Sequence, residues 1–245
     1  MSPRATLATA LRVLLQLRRD PRTVALLVVV PSGLLLILDQ LFTSSDPLFQ
    51  RIGPPMLGLF PLITMFLVTS ITMLRERTSG TLERILTLPI AKLDILFGYG
   101  IAFALMAAAQ ALVVSLVGFG ALDLHAAHST MLVVTLAIAN AVLGMAFGLF
   151  VSAFARTEFQ AVQFLPAFVF PQLLLCGLFT PRSQMADWLR WISDVLPVTY
   201  AYDALARAAS TEPLGGRFAA DLAATVGATL LALVLGAATL RRRTP

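Results

Sequence analysis

The residue types that most often do chemistry are few in this sequence and poorly spaced for it. His125 and His128 stand three residues apart with Asp123 close by, a pairing that holds a metal ion only when further ligands join. Neither H-E-x-x-H nor a cysteine pair accompanies them, so a wet loop is expected rather than a metal site. Cys176 is the single cysteine and has no disulfide partner within the chain. No G-x-S-x-G raises a serine nucleophile. Nor is there a G-x-x-x-x-G-K-[ST] loop to cradle a nucleotide phosphate, because Lys92 is preceded by Ala91 and followed by Leu93. No catalytic residue, metal ligand or cofactor of its own is therefore assigned to this chain.

The polar residues that remain sit mostly inside apolar runs. Gln110, Asn140, Gln163 and Gln172 are neutral, and such residues hydrogen-bond between membrane helices for about 0.6 kcal/mol each. Ion-coupled transport calls for ionisable groups in mid-span; Asp39 and Asp221 lie only near the ends of runs. The most informative stretch runs from Arg75 to Asp94. It begins Arg75-Glu76-Arg77-Thr78-Ser79-Gly80-Thr81-Leu82-Glu83-Arg84 and meets Pro89 before Lys92. Ser79 or Thr81 can cap a short helix, acidic residues near its start complement the helix dipole, and Pro89 stops it. Leu82, Ile85, Leu86 and Leu88 then form an apolar set that a solvated loop would not need, which predicts a docking element.

The elements that must carry these residues are set by composition. The chain has 245 residues, 58% hydrophobic and 13% charged, with a mean hydropathy of +0.85. An ordinary soluble domain is about 25% charged, so a bilayer is the expected solvent. Six runs approach the length of about 20 residues that crosses about 30 Å of hydrocarbon as a helix. They cover 24–42, 54–74, 95–122, 131–155, 162–180 and 218–240, with Pro31, Pro61, Pro166 and Pro171 as kinks. The first run is expected to be retained, since no small-residue cleavage pattern follows at Gln40 to Asp46. With the N-terminus inside, Arg4, Arg12, Arg18, Arg19, Arg22, Arg75, Arg77, Arg84, Lys92, Arg156, Arg241, Arg242 and Arg243 fall on the inner side. Those are thirteen of the 18 basic residues, a bias that predicts both termini in the cytoplasm. No basic face with interleaved aromatics suggests a nucleic-acid partner.

Two amphipathic segments complete the plan. In residues 1–23, Leu7, Ala10, Leu11 and Leu14 share one helical face and Thr9, Arg12, Gln16 and Arg19 the other. A surface helix is expected there, ended by Asp20-Pro21. Residues 181–217 should form a small outer helical cap, with Met185, Trp188, Leu189, Ile192 and Leu196 on its apolar face. Gly144, Gly148 and Ser152 make a small-residue ridge suited to close helix packing, within or between protomers.

Taken in order, Arg75-Glu76-Arg77, Gly80-Thr81-Leu82-Glu83-Arg84, Pro89, Leu165-Pro166, Gly177-Leu178-Phe179-Thr180-Pro181, Trp188-Leu189 and Leu196-Pro197-Val198-Thr199-Tyr200 resemble the type-2 ABC exporter permeases, the family of daunorubicin-type and multidrug resistance permeases. Cys176-Gly177 departs from the Ser-Gly of many relatives. The resemblance implies an all-α polytopic membrane protein, 1–245 as one transmembrane domain, with a connecting helix at 1–23 and a coupling helix at 78–90. It implies that Glu76, Gly80, Thr81, Leu82, Glu83, Arg84, Leu86 and Pro89 couple the chain to a separate ATP-binding subunit, which holds the ATP and Mg. It also implies a second permease, identical or different, and a substrate path between spans two and five. Phe60, Thr64, Phe66, Phe164, Phe168 and Gln172 are the candidate lining residues, a set apolar enough to suit amphipathic drugs or lipids. The expected setting is a bacterial inner membrane with its lipids. A membrane-embedded lipid-modifying enzyme is the alternative, and its only acid–histidine cluster would be Asp123, His125 and His128.

Overall fold

The computed structural model describes residues 2–42, 47–81, 84 and 92–239, and no strand occurs among them. In chain order the helices are α1 (Pro3–Arg18), α2 (Pro21–Leu41), α3 (Pro47–Thr78), α4 (Lys92–Ala121), α5 (Thr130–Val151), α6 (Glu158–Phe164), α7 (Phe170–Leu175), α8 (Asp187–Val195), α9 (Pro197–Ala209) and α10 (Gly216–Ala238). A π-helical turn, Leu165–Val169, joins α6 to α7. Among the described residues five helices are long and apolar enough to cross a membrane: α2, α3, the Phe97–Ala121 part of α4, α5 and α10.

Local chemistry explains where they begin. Asp20 caps α2, its carboxylate accepting from the Thr23 amide at 3.2 Å and the Thr23 hydroxyl at 2.7 Å. These hydrogen bonds hold the Asp20 carboxyl below its ordinary value. Pro21 takes the first helical position, where a missing N–H is harmless. α3 has 32 residues, about 48 Å at the helical rise, longer than the hydrocarbon core. Its charged end therefore stands clear of the apolar layer.

α3 and α5 form the centre. Their most apolar windows are 67% and 72% buried, against 17% for α2 and for α10, so the central pair is packed by protein while the outer two present Ile37, Leu41, Leu230 and Val234 outward. The close approach is made by glycine. A Cβ on Gly144 would lie 2.1 Å from the Leu62 carbonyl oxygen, and one on Gly148 would lie 2.5 Å from that of Phe66. The small-residue ridge thus works inside the protomer, each glycine receiving one turn of α3.

The segment expected as a single span over 162–180 is a broken helix instead. It starts at Glu158, passes through the π-turn and ends at Leu175. Pro166 and Pro171 each remove an amide donor and crowd the preceding turn, and a π-turn relieves that conflict. Gly177, at φ +102°, then reverses the chain in a conformation that favours glycine.

α1 also differs from its expected orientation. Thr9, Ala10, Val13 and Leu17 face inward, while Leu7 and Leu11 are exposed. The face expected to be polar is partly the packed one because α4 offers Gly98, where a Cβ would sit 2.5 Å from that of Thr9. α9, inside the expected cap, is buried through Val198, Ala201, Leu205 and Ala208. It is pinned to α5 by the Asn140 amide donating to the Ala201 carbonyl at 3.3 Å.

Candidate functional site

α3 ends in three consecutive charged residues, and successive residues of a helix are turned by about 100°. Arg75, Glu76 and Arg77 therefore point in three directions, and each meets a different element. Arg75 donates through Nε to Glu158 Oε1 at 2.7 Å and through Nη2 to Oε2 at 2.9 Å, tying α3 to the first turn of α6. Arg77 donates to the Thr239 hydroxyl at 3.5 Å, just past the end of α10.

Glu76 turns inward and is 3% exposed. A buried carboxylate must be hydrogen-bonded or paired, and two elements meet that need. The Tyr99 hydroxyl of α4 donates to Glu76 Oε2 at 2.7 Å. Arg12 of α1 pairs with the same oxygen at 3.4 Å and also donates to the Tyr99 hydroxyl. The Arg12 guanidinium lies 5.5 Å from the Tyr99 ring centre, within cation–π range. α1 is held a second time where Asp94 accepts from the Ser2 amide at 3.0 Å and the Thr6 hydroxyl at 3.4 Å.

The electrostatics grade these links. The Arg75 guanidinium holds the Glu158 carboxyl below its ordinary value of 4.5, but both side chains are more than half exposed. Solvent screens such a pair to about 0.2–1 kcal/mol. In the Arg12–Glu76–Tyr99 triad the Glu76–Tyr99 hydrogen bond is buried and only Arg12 reaches solvent, so it is the stiffer link. At Gly80, φ is +72°, the left-handed conformation that ends a helix. The Gly80 carbonyl accepts from the Arg84 amide at 3.0 Å, so the chain turns here into the segment expected to dock.

Of the expected coupling residues, Glu76 lies in the triad and Gly80 at the turn. Thr81 is half-buried with its hydroxyl 2.9 Å from that of Ser79, and Arg84 is exposed. Leu82, Glu83, Leu86 and Pro89, with most of the expected coupling helix 78–90, lie outside the described residues. Sequence reasoning passed over Arg12, Tyr99 and Glu158 as partners. The available signal was three adjacent charges at the end of an apolar helix, which cannot all face one solvent side.

The expected path residues fall into packed pairs. Phe66, fully buried, stacks on Phe168 at 6.3 Å, and Phe147 meets Phe168 edge-on at 5.2 Å. Thr64 accepts from the Gln110 side chain and donates to the carbonyls of Phe60 and Pro61, at 3.1 and 3.2 Å. Gln172 donates to the Phe168 carbonyl at 3.0 Å and accepts from the Val198 amide at 3.4 Å. Phe60 and Phe164 are half-buried. The structure thus brings Phe66 and Phe168 together, while Gln110, Asn140 and Gln172 bond helix to helix. Among the described residues no group of three His, Cys, Asp or Glu is placed to hold a metal ion.

The model of the ABC-2 type transporter family matches residues 4–208. "ABC transporter G family member 20" of Dictyostelium discoideum is 26% identical over 154 residues, covering 63% of this chain and 21% of that protein. "Probable multidrug ABC transporter permease YbhR" of Escherichia coli K12 is 28% identical over 150 residues, covering 61% of this chain and 41% of that protein. The matched region spans less than half the length of either relative. With a family match over most of its length and five long apolar helices, this multi-pass membrane chain belongs to the ABC-2 type transporter family.

Proposed function

We propose that the chain is the permease subunit of an ATP-driven exporter that moves an amphipathic drug or lipid-like substrate out of the cytoplasm or inner leaflet. The observation that carries this reading is the radiation of Arg75, Glu76 and Arg77 from one helix end to α6, to α1 with α4, and to the end of α10. A force applied beside Gly80 reaches all of them within one turn of helix. The force comes from a separate ATP-binding subunit, which carries the ATP and Mg and seats the segment 78–90, with Glu83 among its contacts. Nucleotide then shifts the permease between inward- and outward-facing states to the extent that the two states differ in affinity.

The remaining assignments follow from that reading. The broken helix 158–175 supplies the sixth crossing, the working unit pairs two permeases, and the chain lies in a bacterial inner membrane with both termini cytoplasmic, as the arginine distribution favours. The Phe66–Phe168 contact is the closed form of a path bounded by Phe60, Thr64, Phe164 and Gln172. Reconstitution in proteoliposomes tests the function. ATP-dependent movement of a fluorescent amphipathic cation is expected with the ATP-binding subunit present and absent without it. Equal movement in both preparations would refute the reading.

A further inference from the structure

A second charged cluster lies at the other end of α3. A cavity of about 950 Å³ opens between the start of α3, the elbow after α7, the last turns of α9 and the start of α10. Four arginines line it, Arg51, Arg182, Arg207 and Arg217, against two carboxylates, Asp203 and Glu212. Arg182 is held by Asp203 at 3.1 Å and by Asp194. Arg207 is held by Glu212 and Asp221, each at 3.4 Å. Over the whole cluster the charges balance, but their placement does not, because Asp194 and Asp221 are not part of the cavity wall.

Arg51 and Arg217 have no carboxylate within ion-pair distance among the described residues. A guanidinium has five N–H donors; Arg182 uses one on each terminal nitrogen, and its Nε is enclosed without a partner. The backbone adds to the same sign. α3 and α10 both begin at this cavity with no acidic residue in the first turn, and the cap of α10 is Gly215, which has no side chain to offer. Arg217 stands in that first turn, where the helix dipole makes a cation unfavourable. An anion in the cavity relieves both. The volume is far larger than one small oxyanion needs and matches a ligand pocket.

We infer that this basin binds a phosphate oxyanion, and that in a multi-pass membrane chain the headgroup of an anionic phospholipid is its source. That the basin opens toward the outer leaflet rests on the orientation proposed above; binding itself does not. The test uses the purified full chain in detergent and native mass spectrometry with equal phosphatidylglycerol and phosphatidylcholine, with inorganic phosphate as a separate arm. Wild type is expected to keep phosphatidylglycerol in preference, and the Arg51→Gln/Arg217→Gln variant to keep several-fold less at an unchanged melting temperature. Arg4→Gln/Arg18→Gln, remote from the basin, should match wild type. If inorganic phosphate alone depends on Arg51 and Arg217, the site stands and its source is free phosphate. If neither probe depends on them, the inference is overturned, whatever the sidedness of the chain or the outcome of reconstitution.

Discussion

Replacing Glu76 by alanine removes the one acceptor that joins α1, α3 and α4. Tyr99 is 1% exposed, so its hydroxyl loses its acceptor where water does not reach, a penalty of about 1–3 kcal/mol. The Arg12 side chain is 36% exposed. Solvent takes over its charge, and the lost pairing adds less than about 1 kcal/mol. The sum, about 1–4 kcal/mol, is about 5- to 800-fold in the equilibrium between docked and released α1. Native-state hydrogen exchange reads this equilibrium for α1 amides opening as a unit. Exchange at Ala10 and Val13 should quicken by that factor in Glu76→Ala. Glu76→Gln retains an acceptor for Tyr99 and should quicken it less than about tenfold. Unchanged exchange in Glu76→Ala would mean that α1 is held by its Asp94 and apolar contacts alone, and the junction would lose its centre.

Three other outcomes are expected. Gly144→Ala places a methyl group against the Leu62 backbone, and forced overpacking of this kind is worth about 1–3 kcal/mol or more; a melting temperature equal to wild type would refute the seam. The Arg75–Glu158 link is present above pH 4.5 and fades as pH falls through the lower value that Glu158 has in the folded chain. Wild type minus Glu158→Gln stability should therefore shrink on acidification and in high salt, and a difference that grows instead would contradict the pairing. The purified chain alone should hydrolyse no ATP in a phosphate-release assay, since it has no phosphate loop.

The apolar helices were legible because a bilayer demands length and composition together, and both can be counted along a chain. Their ends were less so: α3 runs past 54–74 to 47–78, and at its C-terminal end Arg75 and Arg77 find partners that keep the helix intact. The break at Leu165–Val169 was signalled by Pro166 and Pro171, but tolerance of proline in membrane helices leaves kink and π-turn indistinguishable by sequence. The inward turn of Thr9 depends on Gly98, some ninety residues away, and no local periodicity carries that information. The segment expected to dock was read from its motif alone, and most of it lies outside the described residues. The triad behind it was not legible, because Arg12, Glu76 and Tyr99 are joined only by the packing of three helices.

Coupling through the segment after Gly80 is tested most directly by the amount of substrate moved per ATP hydrolysed in proteoliposomes holding the ATP-binding subunit with wild type or Glu83→Arg. Reversing that charge should lower the ratio sharply while leaving the melting temperature of the permease unchanged. A ratio equal to wild type would contradict docking at Glu83.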